Sequence, residues 1–318
     1  MKCVILDDYQ NIALKIADWS LLSNEVEISS INKHIDNEDE LVAAIQDYEI
    51  IIIMRERTPF PGSLLTRLPN LNLLITSGMR NASIDLKTAT KLGITVCGTA
   101  SSSQPPTELT WALILGLSRN IVLESRELNS NGPWQTTIGT DLYGKRLGLI
   151  GLGKIGGRMA QIGKAFGMEV LAWSQNLTKE KTDEIGVEKA ASLEELLETS
   201  DFVSIHLVLS DRTRNLIGEK ELQLMKRDAY LINTSRAAII NQEDLVTALK
   251  NNWIAGAGLD VYEQEPLPEN HIFRELPNVL ALPHLGYVTR SNYKTYFKEA
   301  VEDIQAFLKG EPKRVLNP

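Results

Sequence analysis

A chain of 318 residues exceeds what one hydrophobic core usually serves, so two domains are expected. Its 43% hydrophobic and 23% charged residues are ordinary for a soluble globular protein. A net charge of −8, from 33 basic and 41 acidic side chains, argues against nucleic-acid and anionic-membrane partners. No apolar run approaches the ~18 residues of a membrane span. The two cysteines, Cys3 and Cys97, make neither a disulfide framework nor a zinc site, so cytoplasmic thiols are expected.

The first apolar run, Cys3–Leu6, turns acidic at Asp7-Asp8 and reads as a strand, not a signal peptide. His34 lies in a polar loop with Asp36 and Glu38, where a solvated surface role is expected. Strands are predicted at Glu49–Met54 and Leu71–Thr76, short continuous apolar runs of the kind buried on both faces. The first runs into Arg55-Glu56-Arg57-Thr58, where extended backbone would project Arg55 and Arg57 to one side. The second runs into Ser77-Gly78-Met79-Arg80-Asn81. Ser101-Ser102-Ser103-Gln104-Pro105-Pro106 reads as a linker or hinge. A long helix is predicted from about Thr107 to Leu128, carrying Trp111, Leu113, Leu115, Leu117 and Val122. That stripe suits inter-domain or inter-subunit packing, or a simple core.

The strand Arg146–Gly151 is followed by Gly151-Leu152-Gly153-Lys154-Ile155-Gly156 and a helical pattern of Ile155, Met159, Ile162 and Phe166. Strand, glycine loop and helix in that order aim backbone N–H groups and a positive helix end at one spot, which suits a pyrophosphate. Gly151 permits the tight turn, Gly153 the approach of phosphate, and Gly156 close helix–strand packing. Dinucleotide binding is therefore expected. The next strand, Glu169–Trp173, ends in Ser174-Gln175-Asn176, with no carboxylate for a ribose 2′-hydroxyl and no adjacent arginine for a 2′-phosphate. NAD against NADP stays undecided.

Further strands are predicted at Phe202–Leu207, Ala229–Asn233, Gly256–Asp260 and Val279–Leu282, with helical patterns at Leu193–Thr199, Gln242–Asn251 and about Arg290 to Leu308. Alternation of strand and helix implies parallel sheets with right-handed crossovers, an α/β fold. A nicotinamide that exchanges hydride with an alcohol carbon needs an acid–base group, a cation to polarise the oxygen, and a group to tune the acid–base residue. Of four histidines, His206 ends a buried strand and suits packing, and His271 suits a loop or cap. His284, in Leu282-Pro283-His284-Leu285-Gly286, stands where a buried strand stops, at the ligand-facing edge of such sheets. Two other strand ends supply Arg236, whose planar fork suits a carboxylate, and Glu265, which would bond the imidazole and favour its protonated form. Taken singly, each also fits a structural or surface role.

Together these stretches resemble the D-isomer-specific 2-hydroxyacid dehydrogenase family. The signs are Gly148–Gly156, Asn233-Thr234-Ser235-Arg236, Gly258-Leu259-Asp260-Val261-Tyr262-Glu263-Gln264-Glu265-Pro266 and Pro283-His284-Leu285-Gly286. The resemblance implies that Arg236, Glu265 and His284 are catalytic. It implies that Gly151, Gly153, Lys154, Ile155, Gly156, Ser174, Thr234, Asp260 and His284 bind NAD or NADP, with Asp260 on the nicotinamide carboxamide. Arg55, Gly78, Met79, Arg80 and Arg236 would bind a small 2-hydroxy or 2-keto acid. Phosphoglycerate-, pyruvate-, glyoxylate- and hydroxypyruvate-type acids are equally compatible. It further implies two Rossmann-like or flavodoxin-like domains: a catalytic domain of residues 1–102 and 286–318 split around a dinucleotide-binding domain of 103–285, with homodimers usual. Departures are Ala237 for a glycine, Val208 for a proline, Leu282 for a threonine, Arg80 for a glycine and Ser174 for the ribose-binding acid. A cofactor-sensing corepressor, or formate or phosphite oxidation, are the competing readings of the same fold.

Overall fold

Ile50–Ile53 is four isoleucines in a row, all buried, and a run with no polar face needs cover on both sides. The computed structural model, which describes residues 1–317, places it at the centre of a parallel sheet. That sheet has the order β2-β1-β3-β4-β5, from β1 (Lys2–Ile5), β2 (Glu27–Ser30), β3 (Ile50–Ile53), β4 (Leu73–Thr76) and β5 (Thr95–Gly98). Val4 pairs with Ile51 and Ile52 with Ile75. The sheet belongs to a discontinuous unit, Met1–Ser102 with the stretch from Val288 onward. Its last helix, Arg290–Leu308, starts where Thr289 accepts the N–H of Asn292, and buries Tyr293, Tyr296, Phe297 and Ile304.

The second unit, Ser103–Tyr287, holds a seven-stranded parallel sheet ordered β12-β11-β10-β9-β6-β7-β8. Its strands are β6 (Arg146–Ile150), β7 (Glu169–Trp173), β8 (Glu188–Lys189), β9 (Phe202–Ile205), β10 (Tyr230–Asn233), β11 (Gly256–Leu259) and β12 (Val279–Ala281). The order reverses between β6 and β9, and all carboxyl ends lie on one edge, the place where such sheets take ligands. The fold is α/β with two parallel sheets.

Several expectations are corrected. The helix expected from Thr107 to Leu128 is two helices, Gln104–Ser118 and Ile121–Asn129. They are parted at Arg119-Asn120, where Asn120 takes a left-handed φ of 50°, a conformation asparagine tolerates. The linker expected through Pro106 ends earlier, because Pro105 and Pro106 sit in the first turn of Gln104–Ser118, where no intrahelical N–H is needed. Trp111, Leu113 and Leu117 are buried within the second unit, so the first of these helices is a core helix. His34 is not solvated: its Nδ1 lies 3.0 Å from Asp7 Oδ1, and that contact leads the causes raising its pKa above the usual imidazole value. Arg55 is not extended but left-handed, φ 57°. Arg57 is buried, donating to the Asp7 carbonyl at 2.8 Å and lying over the Tyr9 ring. It therefore belongs to the core of the unit, away from the side that extended backbone would share with Arg55.

Candidate active site

At the reversal point, β6 passes into Gly151, whose φ of 105° favours glycine. A Cβ at Gly151 would lie 2.6 Å from the His206 carbonyl at the end of β9, and one at Gly156 would lie 2.1 Å from the Gly151 carbonyl. At Gly153 a Cβ would meet nothing within 4 Å. Two glycines thus close the turn while the middle one faces open space at the start of helix Lys154–Ala165. That combination fits a pyrophosphate on a helix N-terminus. A groove of about 390 Å³ runs past the loop, lined by Gly151, Gly153, Ser174, Lys181, His206 and Val208 among others. His206 Nε2 lies 3.0 Å from Ser204 Oγ, while its buried Nδ1 has no partner among the described residues. Burial pulls that imidazole down to about 3. Lys154 and Ile155 begin the helix, and Thr234 Oγ1 meets Thr110 Oγ1 at 2.8 Å.

Three consecutive strand ends carry the acid–base candidates. Asn233 of β10 is level with Leu259 of β11, and Leu259 with Ala281 of β12. Beyond β10, Asn233 shapes the turn: its Nδ2 donates to the Arg236 carbonyl and its Oδ1 accepts from the Ser235 N–H. Arg236 Nη1 donates to the Ser235 carbonyl at 2.7 Å. Beyond β12, His284 Nδ1 lies 2.6 Å from Glu265 Oε2. The other carboxylate oxygen of Glu265 accepts the Tyr262 N–H at 2.9 Å. Tyr262 in turn places its hydroxyl 3.1 and 2.8 Å from the Leu259 and Leu282 carbonyls. Tyr262 therefore ties β11, β12 and the glutamate together, a role that the sequence pattern alone does not reveal.

His284 has φ 54°, a left-handed conformation that costs a non-glycine residue roughly 1–3 kcal/mol and persists only when surroundings enforce it. The enforcing group is Asp260. Its two oxygens accept the N–H groups of Leu285 and Gly286 at 2.7 and 2.8 Å. Asp260 has no exposed surface, and desolvation pushes its carboxyl up to about 6 against those two backbone bonds. The Tyr287 ring meets the imidazole edge-on, centroids 5.3 Å apart. The pair His284–Glu265 is thus held by its own unit.

In the first unit, Arg55 lies against Gly78: a Cβ there would be 2.5 Å from Arg55 Nη1, and Gly78 has φ 102°. Asn81 fixes this loop by donating to the Arg55 carbonyl and to Thr76 Oγ1. Met79 and Arg80 are exposed. Among the described residues no cluster of metal-ligating side chains occurs, and no helix is long and apolar enough to cross a membrane.

Comparison with known proteins fits this geometry. The pattern of the D-isomer specific 2-hydroxyacid dehydrogenase NAD binding domain matches residues 111–286. A glyoxylate reductase of Aeropyrum pernix is 42% identical over 265 residues, 80% of this chain and 78% of that protein. A D-3-phosphoglycerate dehydrogenase of Methanocaldococcus jannaschii is 33% identical over 98% of this chain, which spans 58% of that protein. Among solved structures, a phosphoglycerate oxidoreductase of Vibrio cholerae has a TM-score of 0.93 at 37% identity, with 98% of this chain and 99% of that one covered.

Proposed function

Since the chain belongs to the D-isomer specific 2-hydroxyacid dehydrogenase family and is a nicotinamide-dependent oxidoreductase of that class, we propose that His284 and Glu265 run its proton chemistry and Arg236 holds the substrate carboxylate. The observation that carries this is the 2.6 Å contact between His284 Nδ1 and Glu265 Oε2, built on the strand ends that also present Arg236.

When bound, the nicotinamide supplies a hydride to C2 of a 2-keto acid, or accepts one from the hydroxy acid. With Nδ1 engaged by Glu265, His284 uses Nε2 to give a proton to the C2 oxygen in reduction and to take it back in oxidation. Glu265 fixes the ring and sets a negative charge beside the imidazolium. Arg236 offers its fork to the carboxylate. The Gly151–Gly156 loop, with Lys154 and Ile155 at the helix start, Ser174 in the groove beside it and Thr234 just beyond β10, holds the dinucleotide. Asp260 holds the turn after His284, and its oxygens keep lone pairs with which to accept from the nicotinamide carboxamide.

Arg55, Gly78, Met79 and Arg80 are assigned to substrate. Relatives named for glyoxylate and for 3-phosphoglycerate make these acids the first to assay. The free, buried thiols of Cys3 and Cys97 support a cytoplasmic setting. Exposed apolar side chains on Ile121–Asn129 and after it support a homodimer.

The test is His284→Asn. Its kcat is expected to fall by about 10²–10⁴-fold, with dinucleotide affinity, read by fluorescence titration, changed far less because the glycine loop carries most of that binding. Normal turnover in this variant on a panel of 2-keto acids would defeat the assignment.

A further inference from the structure

The groove beside the glycine loop ends in a polar pocket whose charge no mechanistic step above uses. Beside it the Gly151 N–H donates to the Trp173 carbonyl at 2.8 Å. That bond fastens the end of β7 to the phosphate-binding turn, so Ser174, the next residue, stands where the ribose of a dinucleotide on that turn presents its 2′-oxygen. Among the described residues no aspartate or glutamate lines the groove. Its polar lining in this region is Ser174, Asn176, Thr178 and Lys181.

A carboxylate at the end of β7 would bond a 2′-hydroxyl and repel a 2′-phosphate. A serine and an asparagine repel neither group: they hydrogen-bond a hydroxyl or a phosphate alike and carry no charge, so the charge must come from elsewhere in the groove. A phosphate monoester carries about −1.5 to −2 charges near neutral pH and needs such donors together with a cation. The cation in place is Lys181. Its ammonium lies 2.7 Å from Glu184 Oε2, but both side chains are largely exposed, 47% and 67%. An exposed pair of this kind contributes little, so Lys181 is able to turn from Glu184 to a dianion at small cost. Lys179 is likewise engaged by Asp183 one turn away and does not line the groove.

We infer that this pocket is a 2′-phosphate subsite and that the enzyme selects NADPH over NADH, with Ser174 and Lys181 as the residues that set the choice. The inference rests on the dinucleotide reading of the glycine loop and adds the identity of the cofactor to it.

The experiment compares 2′,5′-ADP with 5′-ADP by isothermal titration of the full-length protein, alongside kcat/KM for NADPH and NADH. Wild type is expected to bind 2′,5′-ADP at least about tenfold more tightly, a margin of about 1.4 kcal/mol, and to show the same order in kcat/KM. Lys181→Ala should shrink the ratio, and Ser174→Asp should invert it. Equal binding of the two nucleotides, or tighter 5′-ADP, overturns the subsite while leaving the glycine loop as a dinucleotide site. Failure of both nucleotides to bind overturns the dinucleotide reading itself.

Discussion

Three glycines in the β6 turn do different work, and the difference is measurable. Gly156 abuts the Gly151 carbonyl so closely that a methyl group would sit 2.1 Å away, so Gly156→Ala must push the helix off the strand. Gly153 has φ −80° and open space around it, so Gly153→Ala is tolerated by the fold and intrudes only where a phosphate would lie. The expected outcome is a dissociation. Gly153→Ala keeps the thermal midpoint of the parent and weakens dinucleotide binding by about tenfold or more, whereas Gly156→Ala lowers the midpoint by several degrees before any ligand is added. Equal loss of stability in the two variants would contradict this division of roles. The left-handed His284 shows the same logic at the acid–base residue. Its backbone is held by Asp260 through the next two N–H groups, so the chemistry of one side chain depends on a neighbour that never needs to touch substrate.

At the level of strands, the end of β9 carries a titration of its own. His206 stays neutral in the fold because burial holds its pKa near 3, while an unfolded imidazole takes up a proton near pH 6.5. Between those limits the unfolded state binds more protons, so this group's contribution to stability is full above about pH 6.5 and is lost as pH falls toward 3. Replacing it by glutamine, which does not titrate, is expected to flatten the fall in stability across this window by up to about 1.4 kcal/mol per pH unit. Urea midpoints measured from pH 7 downward check this, and parallel slopes for parent and H206Q would rule it out. Strands also show what the amino-acid pattern can and cannot disclose. Central strands such as Ile50–Ile53 and Tyr230–Asn233 are buried throughout or nearly so and stand out as unbroken apolar runs. The strands Glu27–Ser30 and Glu188–Lys189 escape notice because each lies at a sheet edge and is exposed or half-buried, with polar residues tolerated, and Thr95–Gly98 because a threonine and a glycine leave its buried apolar run only two residues long. The glycine loop and the histidine turn are legible because their constraints are local. The burial of Arg57 over the Tyr9 ring and the pairing of His34 with Asp7 are not, since partners such as Arg57 and Asp7 lie 50 positions apart and no short pattern marks them.

At the scale of the whole molecule, the exposed apolar surface is unevenly spread. Ile121, Val122, Leu128, Trp134, Ile138 and Tyr143 are each more than half exposed, and all fall on one stretch of chain, from the helix Ile121–Asn129 to the segment leading into β6. Ile121 and Val122 also line a shallow groove of about 660 Å³ on that helix. Monomeric proteins rarely leave so much large apolar surface in water, and a chain with a net charge of −8 resists nonspecific clustering. A second copy covers such a surface most simply, because a two-fold contact matches the patch with itself and closes. The parent chain is therefore expected to sediment at twice its 35.4 kDa. Ile121→Lys with Val122→Lys places a pair of like charges opposite the same pair of the other copy, and should yield a folded monomer with its dinucleotide affinity intact. Light scattering coupled to gel filtration reads the mass directly. A parent that elutes as a 35.4 kDa species, or a double variant that remains dimeric, would remove this face as the contact.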